Sequence, residues 1–137
     1  MAGDERQEIL LGGPNEERFG LARAVRIGAH VSVGGTAPIL ADGTNVPADD
    51  VAAQAARCYQ IIGEALTRAG ATHRNIVRTR TLLVRIADAP HAIAARREFL
   101  RGVKAVDTIV EVARFVDPDW MIEVEVDAVL SSAPTAE

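Results

Sequence analysis

The sequence predicts an α+β fold, with one mixed sheet and two helices laid on one of its faces. Three observations carry this. The length, 137 residues, suits one domain and is short for two. Five segments are rich in β-branched residues or alternate at a period of two, and two longer segments place apolar residues three and four apart. Their order is ββαβαββ, and a sheet covered on one side by both helices is the layered arrangement that buries both apolar stripes. The chain divides into an N-terminal arm (1–18), a folded domain (19–130) and a short tail (131–137).

The arm, MAGDERQEILLGGPNEER, is polar and acidic, with Gly12-Gly13-Pro14 as a breaker, and reads as loose. Residues 21–36 read as two strands around a turn at Gly28-Ala29. In the first, Ala22, Ala24 and Arg26 face one way and Leu21, Val25 and Ile27 the other. Residues 37–48 hold Pro38, Asp42-Gly43 and Pro47 and make a loop. A long helix follows, capped by Asp49 or Asp50, whose carboxylate accepts free backbone N–H groups. Its apolar stripe is Val51, Ala55, Cys58, Ile62, Leu66 and Ala69. Asp50, Gln54, Arg57, Glu64 and Arg68 fall on the opposite face, and Gly70 is the stop.

Residues 76–86, IVRTRTLLVRI, read as a strand, and Asp88 with Pro90 opens a second helix striped by Ala92, Ala95, Phe99 and Val103. Residues 108–116 and 121–129 alternate as two closing strands, with Asp117-Pro118-Asp119 between them. The helices cover one sheet face. The other still carries Val and Ile, and in a chain with five aromatic residues its expected cover is another copy of itself.

Composition excludes several classes. Apolar residues make up 48% and charged residues 25%, an ordinary globular mix. No apolar run is long enough for a membrane span, and residues 1–18 lack the core of a signal peptide. The lone Cys58 rules out an intrachain disulfide and a multi-cysteine zinc site, and reads as a buried structural thiol. These features point to a reducing, cytoplasmic setting. His30, His73 and His91 lack zinc spacing, and no nucleophile elbow, phosphate-binding loop or dinucleotide fingerprint is present, so neither metal nor cofactor is expected. The net charge of −4 argues against general nucleic-acid binding.

Two features invite chemistry. Gly34-Gly35 ends a strand, which suits close backbone packing or the approach of a ligand to bare backbone. Glu123, Glu125 and Asp127 alternate with Ile122, Val124 and Val126, so three carboxylates line one strand face about 7 Å apart. Arg78 and Arg80 share a face on another strand and are plausible partners, which makes the row a paired, solvated face. Alternatively one carboxylate sits in a cleft, where burial raises its pKa and makes it a usable acid or base. Trp120 suits either a core plug or a subunit contact.

In order along the chain, Arg23-Ala24-Val25-Arg26-Ile27-Gly28, Val33-Gly34-Gly35-Thr36-Ala37-Pro38, Gln54 with Ala69-Gly70-Ala71, Ile76-Val77-Arg78-Thr79, Val110-Glu111-Val112-Ala113 and Ile122-Glu123-Val124-Glu125 resemble the RidA/YjgF family, also called endoribonuclease L-PSP. The resemblance covers residues 19–130. It implies a chorismate-mutase-like fold and a barrel-like homotrimer with small-molecule clefts between subunits. It also implies hydrolysis of reactive enamines and imines such as 2-aminoacrylate, in which an Arg holds the substrate carboxylate and a Glu with bound water handles protons. Carried over by position, the Glu is Glu123, the Arg is Asp107, the cleft Tyr is Leu21, the cleft Ser is Gly34 and a helix Asn is Ile93.

Glu123 is therefore the candidate catalytic residue. Leu21, Gly34, Gly35, Ile93, Asp107, Thr108 and Ile109 are the candidate ligand cleft. An Asp in place of the Arg repels a carboxylate, so the expected ligand presents an uncharged or cationic group there, and 2-aminoacrylate is an unfavourable substrate. The alternatives are a non-catalytic metabolite-binding or regulatory protein and an endoribonuclease. The last is disfavoured by the acidic charge, the absence of a His acid/base pair and the few aromatics for base stacking.

Overall fold

The computed structural model describes residues 5–131. A six-stranded sheet runs in the order β1-β2-β3-β6-β4-β5. Its strands are β1 (Arg6–Ile9), β2 (Ala24–Ile27), β3 (His30–Thr36), β4 (Ile76–Leu83), β5 (Val106–Glu111) and β6 (Ile122–Val129). Neighbours are antiparallel except β4 and β5, which run parallel and are joined by a helical crossover. The helices are α1 (Pro14–Phe19), α2 (Val51–Arg68) and α3 (Ala89–Leu100). α2 and α3 pack together on one sheet face, and the expected α+β architecture is what the chain adopts.

The first departure is at the N-terminus. The part of the 1–18 arm within the described residues is ordered, with β1 paired to β2 and α1 following it. The Glu16 carboxylate accepts the N–H groups of Leu11 and Gly12 at 2.8 and 2.9 Å, closing the turn that enters α1. Pro14 starts the helix and Gly20, in the left-handed region, ends it. β1 escapes a periodicity test because Ile9 is its one buried residue. Residues 1–4 and 132–137, the latter most of the tail, lie outside the described residues.

α2 follows its stripe. Asp50 accepts the Ala53 N–H at 3.0 Å, and Ala55, Cys58, Ile62, Leu66 and Ala69 are buried. Gly70, at φ 84°, lets Ala71 N–H return to the Leu66 carbonyl at 2.8 Å. Arg26, on the helix side of β2 as its alternation predicts, donates to the Ala69 carbonyl at 2.7 Å and so sits at the negative end of the helix dipole. Tyr59 stacks on Phe99 of α3, with ring centroids 5.0 Å apart. Burial pushes the Cys58 thiol pKa up, as a structural cysteine requires.

Gln54 departs from the reading of α2's polar face: it is fully buried. Its amide donates to the carbonyls of Val46 and Asp119, each at 2.9 Å, and accepts the Met121 N–H at 2.9 Å. Two loops fold over the start of α2, and their backbone groups need a polar partner there. Trp120 is a plug beside them, with its indole N–H donated to Asn45 at 2.8 Å.

The closing strands also differ. β5 begins at Val106 and ends at Glu111, earlier at both ends than the alternation of 108–116 suggests. β4 lies between β5 and β6, so the two strands flanking Asp117 are not neighbours. No helix among the described residues is long and apolar enough to cross a membrane. The face away from α2 and α3 exposes Ile27, Val106 and Val110 together with the charged row of β6.

Candidate functional site

β6 alternates as read. Ile122, Val124, Val126 and Ala128 are buried against the helices, and Glu123, Glu125 and Asp127 point to the open face. The register with β4 then treats the three carboxylates differently. Asp127 lies across from Arg78 and Glu125 across from Arg80, and these pairs close at 4.0 and 2.6 Å. Both are well exposed, so each contributes only about 0.2–1 kcal/mol. Glu123 lies across from Leu82. It is the member of the row that the arginine ladder leaves out.

Glu123 faces the glycine pair instead. β3 and β6 slip register between Val33 and Thr36, so Gly34 and Gly35 bulge where the ladder would otherwise continue. A Cβ on Gly35 would lie 2.5 Å from Glu123 Oε1, so the carboxylate rests on bare backbone that no other residue provides without displacing it. Thr36 Oγ donates to the Gly34 carbonyl at 2.8 Å and holds the bulge. The close-packing reading of the glycines holds here, and the packing is with the candidate catalytic side chain itself.

The electrostatics single out the same group. Burial raises the Glu123 pKa; the Arg23 guanidinium opposes the shift and the Glu125 carboxylate adds to it. Arg23, which comes just before β2, loses some of its basicity to burial, against the opposing pull of Glu16 and then Glu123. Its Nε is buried without a hydrogen-bond acceptor, and it forms no ion pair among the described residues. Sequence reasoning did not assign Arg23 a role. The available signal was its parity, which puts an arginine on the same face as Leu21, Val25 and Ile27.

Asp107 stands elsewhere. In register with buried Thr79 of β4, it faces the helix layer, where it accepts the Thr79 hydroxyl at 2.6 Å and lies 3.8 Å from Arg96 of α3. Its side chain is 15% exposed and that of Arg96 20%. Within one chain, then, Asp107 and Glu123 occupy opposite faces of the sheet. Thr108 points to the open face and is exposed, whereas Ile109 packs against the core from the helix side. Leu21 and Ile93 are half-buried, Leu21 directly after α1 and Ile93 on α3. Leu21 donates its N–H to the Glu16 carbonyl of α1, while Arg23 accepts the Gly34 N–H, and Ile93 on α3 and Ile109 belong with the helix layer. Surface hollows of about 710 Å³ beside Arg96, Arg97 and Lys104 and about 360 Å³ beside Phe19, Val116 and Trp120 include neither Glu123 nor Gly35.

Chemically, the Glu123 corner offers a carboxyl group whose pKa burial raises above that of a solvated glutamate, within electrostatic reach of a guanidinium and against uncovered backbone. Residues 17–130 match the family model described as endoribonuclease L-PSP. An uncharacterized protein of Streptomyces coelicolor is 30% identical over 128 residues, covering 93% of this chain and 95% of that protein. The crystal structure of Rv2704 from Mycobacterium tuberculosis, a member of the YjgF/YER057c/UK114 family, is 32% identical, with a TM-score of 0.82 over 92% of this chain and 100% of that one. Escherichia coli TdcF, solved with bound serine, shares the fold at 22% identity, with a TM-score of 0.75 over 90% of this chain and 94% of its own. By sequence match and by fold, the chain belongs to the endoribonuclease L-PSP family, the YjgF/RidA family.

Proposed function

We propose that the chain is a hydrolytic deaminase of imines or enamines. It acts through Glu123 on a small molecule other than 2-aminoacrylate, in clefts completed between the three copies of a homotrimer in the cytoplasm. The observation that carries this reading is the isolation of Glu123: two carboxylates of its row are matched with arginines, and the third is left over bare Gly35 with a raised pKa. A carboxylate serving only the sheet would gain from an Arg in place of Leu82.

In the step this supports, protonated Glu123 donates its proton to the imine nitrogen, or to the β-carbon of an enamine, which gives the iminium. Water adds to the electrophilic carbon and the carboxylate takes up the proton that water loses. Glu123 passes that proton to the amino nitrogen, the C–N bond breaks and ammonia leaves, and the hydroxyl proton returns to the carboxylate as the oxygen from water becomes the carbonyl. The family resemblance places a carboxylate-holding Arg at position 107, and its absence from that position supports a substrate other than 2-aminoacrylate. The serine bound to TdcF supports a small, amino-acid-sized ligand for the fold. Glu125 and Asp127 balance Arg80 and Arg78 on the same face, which leaves these arginines without the uncompensated charge that phosphate-rich RNA requires.

The test generates imines in situ with an amine oxidase acting on a range of primary amines, some carrying a carboxylate remote from the amine, and 2-aminoacrylate with a dehydratase, and follows ammonia and carbonyl release. The expected result is acceleration for at least one imine, little for 2-aminoacrylate, and loss of the acceleration in Glu123→Gln. Ligand binding by thermal shift with no acceleration of any imine would instead make the protein a binding module.

A further inference from the structure

We propose that Arg23 is the ligand-holding residue of this site, binding an anionic oxygen group, a carboxylate foremost, of the molecule that sits over Gly34, Gly35 and Glu123. The inference rests on reading the Glu123 corner as a ligand site, and adds to it where the ligand's charge goes.

The Arg23 guanidinium is taken partly out of water with none of its protons accepted. Nε is buried without a partner, and no side-chain hydrogen bond or ion pair involves it among the described residues. Guanidinium groups placed this way ordinarily have a carboxylate or carbonyl in the fork. Two carboxylates are near enough to act on it, Glu16 and Glu123, yet neither closes on it. Glu16 is committed to the Leu11 and Gly12 N–H groups. Glu123 rests on Gly35.

Nη2 stands 3.9 Å from the position a Gly34 Cβ would take, so the fork borders bare backbone with no side chain across its approach. A planar carboxylate matches such a fork through two parallel N–H···O bonds, which a lysine does not reproduce. The proposed acid subsite is separate from Asp107. The cation stands on the β2 side, across the sheet from Asp107, and the ligand's acidic end points the other way.

The full-length protein is titrated calorimetrically with a panel of small acids (acetate, pyruvate, 2-oxobutanoate, benzoate) and with the matching primary amides. The expected result is that at least one acid binds, that its amide does not, and that Arg23→Gln weakens the acid by about tenfold or more. Arg23→Lys, which keeps the charge and loses the fork, should weaken it several-fold. Acids that bind Arg23→Gln as they bind the wild type, acids and amides that bind alike, or no acid binding overturn the assignment. Should Arg23→Gln not fold, by circular dichroism, Arg23→Lys together with the acid–amide comparison decides, and unchanged affinity overturns it. Failure of the deaminase reading looks different: acids bind through Arg23 while no imine is hydrolysed. Imine hydrolysis unaffected by Arg23→Gln leaves that reading intact and removes Arg23.

Discussion

Two acidic corners of the sheet contain the same ingredients, a carboxylate and an arginine, in opposite states. At the helix side of β5, Asp107 accepts the Thr79 hydroxyl and faces Arg96, so the charge is met from two elements. At the open side of β6, Glu123 faces Leu82 across the ladder, and Arg23 acts on it without closing an ion pair. A charge satisfied by its own fold contributes to stability and has little left to offer a ligand. A charge held out of water without its partners costs stability and is available for chemistry.

The largest effect should come from the second corner. Glu123→Gln keeps the shape and removes the titration, and the imine-hydrolysis rate should fall by about 10²–10⁴-fold, measured by ammonia release. Its unfolding free energy should stay within about 0.5 kcal/mol of the wild type near the usual glutamate pKa. Asp107→Ala should show the reverse weighting, losing about 1–3 kcal/mol in urea unfolding because Thr79 and Arg96 lose their acceptor. If Asp107→Ala is as stable as the wild type, the two corners are not the opposites described.

Gly35→Ala probes the contact between bulge and carboxylate. The added methyl meets only the tip of a flexible side chain, so stability should drop by less than about 1 kcal/mol. Displacing Oε1 should nevertheless slow hydrolysis by about 10–100-fold. The smallest effect is a pH dependence. Burial favours the neutral form of Glu123 in the folded chain, against the pull of Arg23 and with that of Glu125. The folded state therefore binds more protons than the unfolded one between the usual glutamate pKa and the raised one. Wild-type stability should fall relative to Glu123→Gln as pH rises through that window, and the difference should be flat below it.

Much of this was legible in the sequence because it is periodic. The alternation of residues 121–129 reveals the carboxylate row, and Arg78 and Arg80 are identifiable as its partners before any pairing is known. The stripe of α2, its Asp50 cap and its Gly70 stop are equally local. What stayed hidden depends on pairing between distant segments. Only the β4–β6 register shows that Glu123 meets leucine while its neighbours meet arginine. Beginning the fifth strand at 108 left Asp107 outside it, and only pairing with Thr79 decides which way it faces. Gln54 sits at a position that helical spacing assigns to solvent, and it is buried because two distant loops arrive there. β1 carries too few apolar residues for any period to register.

Gln54 has a consequence for how such a site can diversify. Its amide accepts the N–H of Met121, two residues before Glu123, and donates to the backbone on either side. The start of β6 is thereby indexed to the first turn of α2, and the same amide anchors each flanking loop at one carbonyl, Val46 and Asp119. Away from those two anchors the loops have room to change length and composition while the proton-handling group keeps its coordinates.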